Sequence, residues 1–374
     1  MKRMTLVLLL ICGGAPVFGA ENSYTAHEWG TFTSVQGGDG KLLQWGPFPS
    51  SLLPHFVHFH YINKGDVPGL QRLETPVIYF HASHNFAVDV KIGFPKGVIT
   101  ENFPQAILEA GQHGISWPSL RVLADWSGPA DMAPRDESGN HYFAAREARS
   151  ELLRADSAKG SEYEKFLFYR GVGSFQTPLR VSVNSENSVT LENTATPALS
   201  HLFYVSIHNG RASFTELDTL ASHGSRSLSL SADVPLARFQ KQIAGRVAQG
   251  LASQGLFADE AKAMVDTWKD SWFTDEGERV FYILPRVWTD EILPMTLSPA
   301  PEKLVRVIVG RAEILTPQRV AGLRQIMLEA ETGDATARAR STNELKALGR
   351  FSGAALQLAH LHDAAASTAK NIYE

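Results

Sequence analysis

HLFYVSIHNGRASF, residues 201–214, reads as a β-hairpin and sets the character of the first two thirds of the chain. Aromatic and β-branched residues flank Asn209-Gly210, a dipeptide that supplies the positive φ angles of a type I′ turn. The same pattern recurs upstream. Residues 24–35 are rich in aromatics and threonine, Gly37-Gly38-Asp39-Gly40 is a turn, and 41–45 can return as a strand. Residues 75–80 and 86–94 flank 83–85 and predict a second hairpin. In its return strand Val88, Val90 and Ile92 alternate with Asp89 and Lys91, the period of a half-buried strand. Residues 179–183 and 188–191 predict a third. Between these, 127–160 gathers Pro129, Pro134, Asp131, Asp136, Gly139 and Asn140, and reads as a surface loop leading into one short helix.

Past residue 233 the period changes. Leu236, Phe239, Ile243, Val247 and Leu251 recur every three or four positions and line one face of a helix. Ala261, Met264, Val265, Trp268 and Trp272 do the same on a second. Residues 279–284 and 304–309 read as strands. Thr316-Pro317 begins another helix, with threonine as cap and proline in the first turn, and Val320, Leu323, Ile326 and Met327 follow on one face. Ser341-Thr342-Asn343-Glu344 has the spacing of a capping box. The expected fold class is α+β, with a β-rich N-terminal part, antiparallel and sandwich-like, and a mostly helical C-terminal part. The expected division is a signal peptide at 1–19, a β-rich domain at 20–232, and a mainly helical region with two strands at 233–374. Those two strands can also join the N-terminal sheet.

The first residues have the parts of a secretory signal: Lys2 and Arg3, an apolar run over 5–11, and Val17-Phe18-Gly19 ahead of the expected cut. The run is far shorter than the roughly 20 residues that span a bilayer. The expected location is therefore exported, periplasmic or extracellular, with no membrane span after cleavage. Cys12 is the chain's one cysteine, so no disulfide can form within it, and the fold must rest on an ordinary core. Basic residues number 35 against 39 acidic, a net −4, and loss of Lys2 and Arg3 leaves 33 against 39, a net −6. Neither value points to nucleic acid or an anionic membrane as partner.

Ala26-His27-Glu28-Trp29-Gly30-Thr31-Phe32-Thr33 resembles the opening of a group of exported bacterial proteins with no established activity. Residues 74–80 and 94–101 look like further blocks of that group, as do 164–173, 263–273 with 279–285, and 306–317. The resemblance implies export and one architecture shared along the mature chain. It implies nothing about chemistry.

Histidines are the most suggestive residues. His55, His58, His60, His81 and His84 fall within thirty positions. His58 and His60 lie on the same face of a strand, where two imidazoles can reach one divalent transition metal ion. Glu74, His81 and His84 are candidate partners in that site. The bland alternative is polar strand faces and ordinary hydrogen bonds. His27-Glu28 lacks the second histidine of a helical zinc motif, since Thr31 stands there, and adjacent strand residues face opposite ways. Trp29, Trp45, Trp117 and Trp126 can stack on sugar rings or fill a core. Arg170 and Arg311 each follow an apolar strand and suit either anion binding or an internal ion pair. Serine-nucleophile and phosphate-loop motifs are missing from the sequence.

Three functions follow as expectations. The first is a non-catalytic binding or structural role in the envelope, with a polysaccharide or other envelope component as partner. The second is a metal-dependent hydrolase with its site in 55–84. The third is carbohydrate binding through the tryptophans; His27, Glu28, Trp29, Trp45, Arg170 and Arg311 are candidate contacts for whichever ligand is bound.

Overall fold

A computed structural model describes residues 23–46, 53–60, 69–126, 132–135, 140–185, 187–333 and 335–359. The expected signal peptide lies outside the described residues. Along the chain come β1 (Tyr24–Gly37), β2 (Leu42–Leu43), β3 (His58–Phe59), β4 (Gln71–Ala82), β5 (Phe86–Gly93), β6 (Gly97–Phe103), β7 (Ile107–Leu108) and β8 (Gly114–Leu123). Then follow β9 (Leu152–Ser157), β10 (Gly160–Glu164), β11 (Leu167–Gly173), β12 (Leu179–Ser185), β13 (Ser188–Asn193), β14 (Leu199–His208), β15 (Arg211–Leu220), β16 (Ser225–Ser229) and β17 (Val234–Pro235). The last part holds α1 (Leu236–Ser253), α2 (Ala258–Trp272), β18 (Gly277–Ile283), α3 (Arg286–Ile292), β19 (Met295–Ser298), β20 (Lys303–Leu315), α4 (Pro317–Thr332), α5 (Ala335–Leu348) and α6 (Ser352–Leu358).

Ten strands form one long sheet in the order β17-β15-β14-β18-β20-β1-β4-β11-β6-β3, with β2 as an eleventh against β1. A second sheet runs β10-β9-β8-β5-β19 with β7 beside β8, and a third runs β12-β13-β16. The chain is thus α+β and β-rich, as its patterning predicts, and helices α4–α6 close its C-terminal part. The C-terminal strands do join the N-terminal sheet. β20 lies parallel to β1 over thirteen positions, while its other neighbour, β18, is antiparallel. Among the described residues no helix is long and apolar enough to cross a membrane.

The long sheet is the middle of three layers. One face packs Phe32, Ile78, Phe80 and Ile308 against Val88, Val90, Ile92 and Trp117 of the second sheet and Val181 and Leu191 of the third. That is the expected sandwich. The other face carries helices in two groups. Trp29, Val77, Phe281 and Val307 meet Phe239, Ile243, Met264 and Trp268 of α1 and α2. Val35 and Leu315 meet Leu323, Leu345 and Phe351 of the C-terminal helices. Each such fully buried side chain is worth about 1.5–3 kcal/mol, so the apolar stripe of α1 is enough to fix that helix on the sheet. An aspartate at Ile243 would break the contact.

Two local expectations are corrected. Residues 75–94 do not form a hairpin: β4 belongs to the long sheet and β5 to the second. The turn at 83–85 instead carries the chain across the core, and the inner residues of the two strands face one another. Ser341 does not begin a helix, because α5 runs through it. Its hydroxyl and that of Thr342 donate back to the Arg338 carbonyl, the alternative use of such side chains inside a helix.

Candidate functional site

Between the two apolar patches under the helices, the same sheet face turns polar. The pleat explains which residues meet there. β4 contributes Arg72 and Glu74, β20 contributes Arg311 and Glu313, and each pair is spaced two apart on one strand face. Register brings the rest alongside: Arg170 of β11 lies across from Glu101 of β6, Thr33 of β1 across from both Arg72 and Arg311, and Arg279 of β18 across from Glu313. All of these are buried.

The belt is tightly bonded. Thr33 Oγ1 donates to Glu74 Oε2 at 2.5 Å, and Arg72 Nε lies 3.4 Å from Glu74 Oε1. Arg350, just past α5, donates to Glu74 as well. Arg279 and Arg311 both donate to Glu313, at 3.0 and 2.9 Å from Oε2. Arg311 also donates to Ser271 Oγ at 2.8 Å and lies 3.2 Å from Asp275. Burial pushes the Glu74 carboxyl up, but Arg350 and Arg72 outweigh it and hold it at about 2. Glu313 is likewise held below the usual carboxylate range by Arg279 and Arg311, against its burial.

Arg170 is the exception. Its Nη2 donates to Thr75 Oγ1 at 3.3 Å, and its Nε and Nη1 have no hydrogen-bond partner among the described residues. Burial, and then the neighbouring Arg72, bring its guanidinium down to about 10. Formally, five arginines (72, 170, 279, 311 and 350) stand against Glu74, Glu101, Glu313 and Asp275.

The belt opens at a cleft of about 360 Å³ between α2 and the end of α5. Glu74, Asp275, Glu276 and Glu313 line it together with Arg319, Lys346 and Arg350, with Ser271 beside them. Trp268, His141 and Phe351 supply flat walls. His141 stacks on Trp268 with ring centroids 5.3 Å apart, and burial lowers its pKa. Trp268 Nε1 and Arg350 Nη2 are buried and have no partner among the described residues. A second groove of about 630 Å³ adjoins the cleft and shares Glu276, Arg319 and Ala347 with it.

The candidate metal donors do not converge as expected. His58 Nε2 pairs with Glu162 at 2.9 Å, and His60 Nε2 lies 2.5 Å from Asn102 Oδ1. Glu74 is taken by the arginines. His84 sits beside Phe86, its Nε2 without a partner among the described residues. His81 alone meets another histidine, and that is His27: both bond to Glu260 of α2. Among the described residues these three form the one group of donors close enough to share an ion. The 55–84 grouping fails because β3 lies at one end of the long sheet while β4 lies next to β1 inside it.

His27 and Glu28 do face opposite ways. Glu28 accepts from Tyr169 and Arg306 on the sandwich side. The tryptophans are corrected too. Trp29, Trp45 and Trp117 are buried, and the indole N–H of Trp45 donates to Leu70 O and that of Trp117 to Pro104 O. They are core, so they present no stacking surface to a sugar. Trp126 is half-buried beside Arg146 and Lys165. Arg170 and Arg311, each open to two readings, prove to share one belt. Sequence reasoning missed Arg72, Arg279, Arg350, Glu313 and Glu260. The signal for two of these was Arg-x-Glu within apolar strands, which occurs at 72–74 and again at 311–313.

No family model matches the chain, and no curated protein matches it. Among solved structures the chain is similar to the mu homology domain of Fcho1 from Danio rerio with a bound Eps15 peptide. Identity there is 9% over 78% of this chain and 97% of that one, with a TM-score of 0.31. The yeast delta-COP-I mu-homology domain is similar at 9% identity, 79% and 96% coverage and a TM-score of 0.29. Its complex with a Dsl1 WxWxV peptide gives 9%, 79%, 97% and 0.28. Likeness at this level leaves function to the chain's own residues.

Proposed function

We propose that this is an exported, non-catalytic binding protein of the cell envelope, and that its ligand occupies the cleft over the polar belt. The observation that carries the reading is Arg350 at the cleft wall, whose buried Nη2 has no hydrogen-bond partner among the described residues. An anionic group in the cleft would accept hydrogen bonds from that Nη2. Arginine suits this role because its planar fork pairs with carboxylate or phosphate and stays protonated. Asp275, Glu276, Glu313 and Ser271 accept hydroxyl or amino hydrogens from the remainder of the ligand. The ligand class is therefore an envelope component bearing an acidic group beside hydroxyls, a sugar acid or a phosphorylated sugar. A volume of about 360 Å³ is in the range of small-molecule sites. Charge held fixed at Glu74 and Glu313 favours electrostatic binding over proton transfer. The signal-like N-terminus and the resemblance of residues 26–33 support export.

Calorimetry on the mature chain with glucuronate, glucose 6-phosphate and neutral glucose tests this. The acidic probes should bind and glucose should not, and each bound probe should be recovered chemically unchanged. Arg350→Ala should weaken binding at least tenfold. Equal binding of neutral and acidic sugars, or an Arg350→Ala protein that binds like wild type, overturns it.

A further inference from the structure

We infer that His27, His81 and Glu260 form a binding site for a divalent transition metal ion, separate from the cleft. The three come from β1, β4 and the first turn of α2, and no local spacing in the sequence joins them. His27 Nδ1 lies 2.7 Å from Glu260 Oε2, and His81 Nε2 lies 2.9 Å from Oε1. All three donor atoms lie within 4.8 Å of one another. Two imidazole nitrogens and a carboxylate are the donor set of borderline ions such as zinc and cobalt, and three protein ligands leave one position for water.

The distances fit an ion entering with little rearrangement. Donor atoms around a tetrahedral ion with bonds of about 2.0–2.1 Å stand roughly 3.3 Å apart. The two pairs need to open by about half an ångström, which small rotations of the imidazoles supply. His27 and Glu260 are fully buried, while the His81 side chain is 18% exposed, so the group is reachable from one side only. The ring of Phe257 lies against both imidazoles, with centroids at 4.6 and 4.9 Å. Its ring forms an apolar wall on one side of the site. Glu260 is also fixed from behind, since its Oε2 accepts the Phe257 N–H at 2.7 Å. A bound ion would tie the start of α2 to two central strands.

The competing account is a metal-free carboxylate bonded to two histidines. The two differ in what they do with zinc. Chelator-treated full-length mature protein should take up one equivalent of Zn²⁺ in a calorimetric titration, and Co²⁺ should give the visible bands of a four-coordinate ion. His81→Ala, at a part-exposed position, should weaken Zn²⁺ binding at least tenfold while the chain stays folded by circular dichroism. Glu260→Gln keeps an oxygen for the Phe257 N–H and should weaken Zn²⁺ binding as well. Arg350→Ala should bind Zn²⁺ normally, which keeps this result independent of the cleft. The inference is overturned if folded wild type takes up no Zn²⁺. It is equally overturned if uptake survives His81→Ala and Glu260→Gln but disappears in His58→Ala/His60→Ala.

Discussion

Glu28 and Arg306 stand directly across from one another in the parallel pairing of β1 with β20, and Arg306 Nε donates to Glu28 Oε2 at 2.6 Å. Both side chains are fully buried, and 278 positions separate them. Tyr169 donates to the other Glu28 oxygen at 2.6 Å, and Arg306 reaches on to Asp290 and the Leu293 carbonyl. The carboxylate is therefore satisfied on both oxygens, and the guanidinium ties β1 and β20 to α3 and Leu293. Removing one partner of such a pair leaves an uncompensated buried charge. Arg306→Met should cost about 3–5 kcal/mol, read as a fall in the urea midpoint. Glu28→Gln/Arg306→Met should cost less than the sum of the single changes, and strict additivity would show that the pair does not act as a unit.

The turn between β14 and β15 gives a cleaner backbone test. Asn209 and Gly210 have φ of 52° and 71°, the type I′ geometry expected from Asn-Gly. A Cβ at Gly210 meets nothing within 4 Å, so a substitution there is opposed by conformation alone. Gly210→Val should cost about 1 kcal/mol or more, because a β-branched residue resists positive φ. Gly210→Asn should recover most of the loss. Equal melting of the valine and asparagine variants would contradict this account.

What was legible in the sequence followed from local physics. The Asn-Gly hairpin, the α1 stripe of Phe239, Ile243, Val247 and Leu251, and the Thr316 cap are set by neighbours within a few positions. The Thr316 hydroxyl accepts from the Arg319 N–H as a cap should. The turn at 83–85 misled because a hairpin and a crossing between sheets need the same residues, and only the distant strands decide which forms. The sites were illegible for the same reason. His27, His81 and Glu260 meet through strand order, and Glu74 finds Arg350 across 276 positions. Arg170 and Arg311 stood out as charges in apolar strands, yet their shared belt depends on the register of six strands.

Export predicts a defined mature terminus. The run over 5–11 followed by Val17-Phe18-Gly19 places cleavage ahead of Ala20. Mass spectrometry of protein from an envelope fraction should find a chain that starts at Ala20 or Glu21. Such a chain holds no thiol, so a reducing agent should leave its melting temperature unchanged. Recovery of an intact Met1 from the cytoplasm would count against export.

The final prediction concerns acid. Glu74 is held at about 2, against an ordinary value of 4.5, by Arg350, Arg72 and the Thr33 hydroxyl, all working against burial. A carboxyl whose folded pKa is depressed stabilises the fold above its unfolded value and loses that contribution as pH falls through the folded one. The window here runs from about pH 4.5 down to about pH 2. A shift of that size corresponds to roughly 3 kcal/mol, an order-of-magnitude figure for a fully buried group. Glu313 is shifted the same way, so wild type alone would mix the two. Comparison with Glu74→Gln isolates the first, because Glu313 and its arginines are present in both. Urea unfolding at pH 6 should find Glu74→Gln less stable by roughly 3 kcal/mol. The gap should narrow below pH 4.5 and nearly close at pH 2, where wild type has begun to protonate Glu74 and release Arg350 and Arg72. A gap constant with pH would mean that the glutamine variant loses packing rather than charge, and that Glu74 does not anchor the belt electrostatically.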